Sequence, residues 1–258
     1  MILKDKVVLV SGGGRGTGKY IARRMCEQGA RVAICSRNER NLEKTRKDFE
    51  KQSNFEILAL KVDTTLKDQV DDAIKRVIEK WGRLDVLVNN SGTGGMNPMT
   101  WLDDGQWFAI QETNIHGMYY MTQAALSHMN DGNGRIINIA SHLGKTGAPF
   151  YTAYCTVEHA IIGFTRALAL ETAEKGVTVN AICAGLIDTD FAKKRTYEMA
   201  DQMGLPQRDF TQSVINTVPI KRLIDPLEVA SLAVYLASDK ARAITGQAID
   251  INGGLLVP

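Results

Sequence analysis

Short apolar runs rich in β-branched residues recur along the chain. They are Val7-Val8-Leu9-Val10, Arg31-Val32-Ala33-Ile34-Cys35, Glu56-Ile57-Leu58-Ala59-Leu60, Leu84-Asp85-Val86-Leu87-Val88, Arg135-Ile136-Ile137-Asn138-Ile139, Val177-Thr178-Val179-Asn180-Ala181 and Gln247-Ala248-Ile249-Asp250-Ile251. Most lack polar alternation, as strands do when helices cover both faces of a parallel sheet. Between them lie helical windows at about 16–28, 39–52, 66–81, 103–129, 152–175 and 226–238. This order predicts an α/β fold: a Rossmann-type, doubly wound parallel sheet of about seven strands, helices on both faces, right-handed crossovers. No repeat, low-complexity segment or linker interrupts it, so residues 1–258 read as one domain. The stretch 188–220 is the exception. Its mixed polarity (Lys193, Lys194, Met203, Gly204, Pro206) shows no clear strand, and its place after a strand's carboxyl end predicts a substrate lid.

Composition narrows the function. The 258 residues are 44% hydrophobic and 23% charged, enough for one large core. Thirty-one Lys+Arg against 29 Asp+Glu leave +2, without a long basic or acidic run. Nucleic acid and anionic membranes are therefore not expected as partners. The first apolar run is too short for a signal peptide or a membrane span, which points to the cytoplasm. Cys26, Cys35, Cys155 and Cys183 are scattered, as buried hydrophobes in a reducing compartment are; only Cys155 lies beside a candidate site residue. His116, His128, His142 and His159 show no metal-ligand spacing, so no metal is expected. Trp101, Trp107, Tyr119, Tyr120 and Met121 read as core or interface.

Chemistry begins at Ser11-Gly12-Gly13-Gly14-Arg15-Gly16-Thr17-Gly18, between the first strand and the first helix. Glycines there permit a tight turn and close backbone approach to a pyrophosphate, which then faces a helix N-terminus. The context predicts dinucleotide binding. At the end of the second strand, where a carboxylate would grip ribose hydroxyls, stand Ser36 and Arg37. With Arg15 they offer two guanidinium groups to a 2′-phosphate, favouring NADP(H) over NAD(H).

From these motifs the chain resembles the short-chain dehydrogenase/reductase family, end to end. Ser11-Gly12-x-x-x-Gly16-x-Gly18 matches the family's phosphate turn. Asp63 matches the acid that touches adenine, and Asn89-Asn90-Ser91-Gly92 resembles the segment that steadies the sheet and lines the adenosine. Asn114, Ser141 and Tyr154 match three members of the catalytic relay. Thr189, in Gly185-Leu186-Ile187-Asp188-Thr189, matches the threonine that holds the carboxamide, and Asn252-Gly253-Gly254 resembles the closing turn. The Lys145 loop and the helix after Tyr154 resemble those of polyketide and 3-oxoacyl thioester ketoreductases. The resemblance implies hydride transfer between a nicotinamide and a carbonyl or carbinol carbon, with tyrosine moving the proton and serine polarising the oxygen. It also implies pairing of the two long helices in a homotetramer or dimer.

Two positions depart from the pattern. Glu158 stands four residues after Tyr154, on the same helix face, where the family has the lysine that lowers the tyrosine pKa. At about 5–6 Å and an effective dielectric of about 20, one charge there is worth roughly 3 kcal/mol. An ionised Glu158 reverses the lysine's effect, whereas a protonated one only removes it. Both disfavour tyrosinate, and both harm alcohol oxidation more than carbonyl reduction. Glu158 as a displaced surface acid and Lys145 as a replacement cation are the remaining alternatives. The second departure is Cys183-Ala184-Gly185, where the family has Pro-Gly facing the nicotinamide.

Two functions compete. One is an NADP(H)-dependent oxidoreductase interconverting a ketone and a secondary alcohol, on a cyclic ketone or a 3-oxoacyl thioester carried by CoA or a carrier protein. The other is a catalytically silent relative: a cofactor-binding sensor, or the inactive subunit of a hetero-oligomer with an active homologue.

Overall fold

The computed structural model describes residues 1–53, 55–129 and 132–257. Its strands are β1 (Val7–Ser11), β2 (Arg31–Ser36), β3 (Ile57–Lys61), β4 (Val86–Asn89), β5 (Arg135–Ser141), β6 (Thr178–Ala184) and β7 (Ala248–Ile251). They form one parallel sheet in the order β3-β2-β1-β4-β5-β6-β7. The order reverses between β1 and β4, and at such a switch point the loops leaving the two strands part to make a crevice.

The helices are α1 (Gly16–Glu27), α2 (Glu39–Ser53), α3 (Lys67–Trp81), α4 (Asp104–Gln111), α5 (Gly117–Leu126), α6 (Thr152–Thr172), α7 (Asp190–Gln202), α8 (Gln207–Thr217) and α9 (Pro226–Ala237). Successive strand side chains point to opposite faces. Val8, Val10, Val32, Ile34, Val86 and Val88 pack with α1, α2 and α9 on one face. Val7, Leu9, Ala33, Leu87 and Ile136 pack with α3, α5 and α6 on the other. All these strand residues are fully buried, which explains why the runs read as continuous hydrophobes rather than alternating ones.

Every strand and every helical window expected from the pattern is present. The window at 103–129 is divided: between α4 and α5 the chain makes a π turn, Glu112–His116, which carries Asn114. The 188–220 stretch contains α7 and α8 packed against each other. α8 has no buried residue, so its sequence carries little of the apolar stripe that marks a helix. No helix among the described residues is long and apolar enough to cross a membrane, and no metal-binding cluster occurs among them.

A buried polar chain crosses the middle of the sheet. Asn89 Nδ2 donates to Thr122 Oγ1 and to Asn138 Oδ1, each at 2.9 Å, and Asn138 Nδ2 donates to Thr165 Oγ1 at 2.9 Å. It joins β4 and β5 to α5 and α6. In a low-dielectric interior such a network favours one arrangement of the four elements, although Asn89 Oδ1 within it has no hydrogen-bond partner.

Candidate active site

The turn after β1 is built around glycines, of which Gly12, Gly13 and Gly18 have no room for a side chain. Gly12 adopts φ +66°, and a Cβ at Gly18 would lie 2.5 Å from both Asn90 Nδ2 and the Gly12 carbonyl. The Ser11 hydroxyl accepts from the N–H groups of Asn90 and Ser91 at 3.0 Å, while Asn90 Nδ2 donates back to the carbonyls of Ser11 (3.1 Å) and Gly12 (3.4 Å). These bonds lock the loops after β1 and β4 together across the switch point. The first turn of α1 carries no acidic residue, and no side chain of its N-cap residue caps the turn. Its N–H groups face a cleft of ≈1680 Å³ lined by Gly14, Arg15, Gly16 and Thr17 on one side and Gly185, Ile187 and Thr189 on the other. A helix N-terminus of this kind, without side chains crowding it, suits a dinucleotide diphosphate.

At the adenosine end Ser36 Oγ donates to the Asn38 carbonyl at 3.4 Å. Arg37 is mostly exposed and lies 4.0 Å from Asp63, whose Oδ1 accepts from the Thr65 N–H and hydroxyl. Thr189 is the N-cap of α7 and accepts from Ala192 N–H at 3.2 Å. Gly185 lies against Asn252, where a Cβ would come within 2.7 Å of backbone.

Asn114, Ser141, Tyr154 and Glu158 meet at the cleft's inner wall. Tyr154, half-buried near the start of α6, lines the cleft; the other three are buried behind it. Glu158 Oε2 accepts the Ser141 N–H at 2.7 Å, and the carboxyl also contacts Tyr154 and Asn114. Asn114 Oδ1 accepts from Thr93 N–H at 2.8 Å, which leaves its amide N–H groups for Glu158, and Gly92 packs beside that amide. Ser141 Oγ accepts from Leu143 N–H at 3.1 Å, which leaves its own proton for Tyr154. Burial, opposed by those hydrogen bonds, pushes Glu158 up to about 7. Burial first and the Glu158 charge second raise Tyr154 well above the usual tyrosine range.

Known proteins resemble the chain over nearly its whole length. Residues 12–256 match the family model described as Enoyl-(Acyl carrier protein) reductase. A 3-oxoacyl-[acyl-carrier-protein] reductase of Vibrio cholerae is 35% identical over 99% of both chains. The chain belongs to the short-chain dehydrogenase/reductase family. Among solved structures, a variant of actinorhodin polyketide ketoreductase with NADPH is 35% identical, covers 97% of each chain and superposes with a TM-score of 0.93. L-sorbose reductase from Gluconobacter frateurii, complexed with NADPH and L-sorbose, is 27% identical over the full length of both chains, with a TM-score of 0.94.

Within this short-chain dehydrogenase/reductase site, Glu158 is no surface acid: it is 3% exposed. Lys145 does not replace the missing cation. Its Nζ is held by Asp250 Oδ2 at 2.5 Å and by the Ala248 carbonyl at 2.6 Å, both at the edge strand β7. His142 stays beside Ser141, with Nδ1 3.2 Å from the Ala184 carbonyl. A carbonyl only accepts, so Nδ1 carries the proton. Ala184 is buried at the end of β6, and Cys183 before it is buried with its thiol pushed up to about 12 by desolvation.

One contact escaped the motif reading. Gly94 lies flat on the Tyr154 ring, where a Cβ would run into the aromatic carbons. The glycine run Gly92-Thr93-Gly94-Gly95 is its only trace in the sequence. Trp101 and Tyr119 are exposed, whereas Met121 is core.

Proposed function

We propose that this chain is an NADP(H)-dependent carbonyl reductase whose proton relay is modified to Asn114, Ser141, Tyr154 and Glu158. The observation that carries the proposal is the convergence of those four side chains on a cleft that also reaches the glycine turn. Arg15, Gly16, Thr17 and Gly18 would hold the diphosphate and Asp63, Asn90, Ser91 and Gly92 the adenosine. Gly185, Ile187 and Thr189 would hold the nicotinamide end, which supplies hydride when bound. Ser36 and Arg37 support NADP(H), as do two related reductases crystallised with NADPH.

Tyr154 gives its proton to the carbonyl oxygen, and the Ser141 hydroxyl polarises that oxygen. A neutral tyrosine with a raised pKa is competent for that transfer and unsuited to the reverse, so the site favours reduction. The substrate class is a 3-oxoacyl thioester on CoA or a carrier protein, or a cyclic ketone; the Vibrio cholerae relative supports the thioester. α7 and α8 form the lid. A homotetramer or dimer is the expected assembly.

Oxidation of NADPH by the purified protein against a panel of 3-oxoacyl thioesters and cyclic ketones tests the proposal. Turnover supports it; tight NADPH binding without turnover establishes the second reading, a silent dinucleotide-binding relative or inactive partner of an active homologue. What favours that second reading is the Glu158 charge, which opposes ionisation of Tyr154. Restored turnover in Glu158→Lys would then show that the rest of the site is intact. Arg37→Ala is expected to weaken NADPH binding about tenfold, about 1.4 kcal/mol, and leave NADH binding unchanged.

A further inference from the structure

Hydrogen-bond donors and acceptors around Glu158 permit two proton arrangements with opposite consequences for Tyr154. Oε2 is an acceptor in both, because its partner at 2.7 Å is the Ser141 backbone N–H, which can only donate. Asn114 turns its amide N–H groups toward the carboxyl, since its oxygen is taken by Thr93 N–H. The remaining neighbour is the Tyr154 hydroxyl. If Glu158 is a carboxylate, every neighbour donates to it, and the tyrosine's single proton points at Glu158 instead of into the cleft. If Glu158 carries a proton, that proton lies on Oε1, donates to the Tyr154 oxygen, and leaves the tyrosine proton directed at the cleft.

We propose that Glu158 is a proton-bearing positioning residue: as a neutral acid it presents the Tyr154 proton to the substrate oxygen, and as a carboxylate it withdraws that proton. This rests on the carbonyl-reductase reading of the same site. During reduction the Tyr154 O–H bond breaks and an O–H bond forms on the former carbonyl oxygen, while the carbonyl carbon gains the hydride that a bound reduced nicotinamide would supply. The Glu158 O–H bond then breaks and the Tyr154 O–H bond re-forms. The resulting carboxylate is accommodated by Ser141 N–H and Asn114 until solvent reprotonates it.

The geometry supports this role over a merely vestigial one. Glu158 is 3% exposed, and an isolated ionised carboxylate at such a position is costly. Its nearest titratable neighbour is Tyr154, one turn earlier on α6. His142 adjoins Ser141, with its ring nitrogen hydrogen-bonded toward the Ala184 carbonyl. Cys183 on β6, whose thiol stays protonated, feels the charges of Glu158, Lys145, Asp250 and Arg166. Lys145 and Asp250 neutralise each other at 2.5 Å, so the Lys145 ammonium is engaged elsewhere. With burial setting the balance near about 7, the switch falls at neutral pH.

The test uses wild type and Glu158→Gln, whose amide donates to Tyr154 as the neutral acid does and does not titrate. Infrared difference spectra between about pH 6 and about pH 9 read the carboxyl directly. A protonated-carboxyl C=O band is expected in wild type at the lower pH, absent in Glu158→Gln. Its absence from wild type overturns the proposal whether or not the protein turns over. In steady-state reduction, wild-type kcat is expected to fall about tenfold per pH unit above about pH 7, as for one titrating group. Glu158→Gln is expected to stay flat within about twofold and to exceed wild type at least tenfold at about pH 9. An unchanged alkaline fall in Glu158→Gln, or a flat wild type, overturns the switch while leaving the reductase reading intact. The carboxyl band without turnover of any ketone at any pH overturns both.

Discussion

Replacing Glu158 by Gln is expected to remove a pH dependence from the stability of the folded chain. Glu158 titrates at about 7 in the fold against an ordinary 4.5, because burial disfavours its charge. The folded state therefore holds a proton that the unfolded state has released. Stability from this group is fully present below about pH 4.5 and is lost as pH rises to about 7, where the folded carboxyl also ionises. At about 1.4 kcal/mol for each pH unit the loss is about 3 kcal/mol, levelling above neutrality. Gln keeps an oxygen for the Ser141 N–H and never ionises. At about pH 8, Glu158→Gln should thus be the more stable protein by about 3 kcal/mol, or roughly 5–10 °C in Tm for a chain of this length. At about pH 5 the gap should shrink to about 1 kcal/mol or less. Thermal melts of both at closely spaced pH values give the difference curve, in which every other titrating group cancels. Parallel curves from pH 5 to 8 would refute the reasoning and place the Glu158 carboxylate in a site that solvates it.

Three further outcomes follow from contacts described above. Gly18→Ala places a methyl 2.5 Å from Asn90 Nδ2 and the Gly12 carbonyl, so the phosphate turn must open; NADPH affinity, followed by fluorescence titration, should fall at least about tenfold. Asn138→Ala removes bonds to Asn89 and Thr165, leaving the Thr165 hydroxyl with its bond to the Ile161 carbonyl, and should lower stability in urea by about 2 kcal/mol without moving cofactor affinity. Lys145→Met leaves Asp250 as a largely buried carboxylate without its cation. A loss of about 2 kcal/mol is expected, substantially recovered when Asp250→Leu is added; no recovery would show that the ion pair is not the source.

The sheet was legible because its strands are short, apolar and buried on both faces, and a residue such as Leu9 or Val10 signals that by composition alone. The phosphate turn was legible because glycine is the one residue whose presence states a backbone requirement, as at Gly12 and Gly18. Helices α7 and α8 were not, since Gln207–Thr217 buries nothing that would impose a helical period. The π turn around Asn114 depends on one extra residue per turn and has no compositional mark. Glu158 stood out as an anomaly, yet its environment was unreadable because its short-range partner is a backbone N–H seventeen residues away. For the same reason Lys145 drew attention as an unassigned cation: the carboxylate that occupies it lies 105 residues downstream.

That Lys145–Asp250 pair couples the edge strand of the sheet to the loop that precedes the candidate proton donor. The segment between β5 and α6 leads into the helix that carries Tyr154, and its Lys145 is tied to β7 at the rim of the sheet. Any agent that grips β7 along its open side therefore has a lever on the loop that leads into the helix of Tyr154.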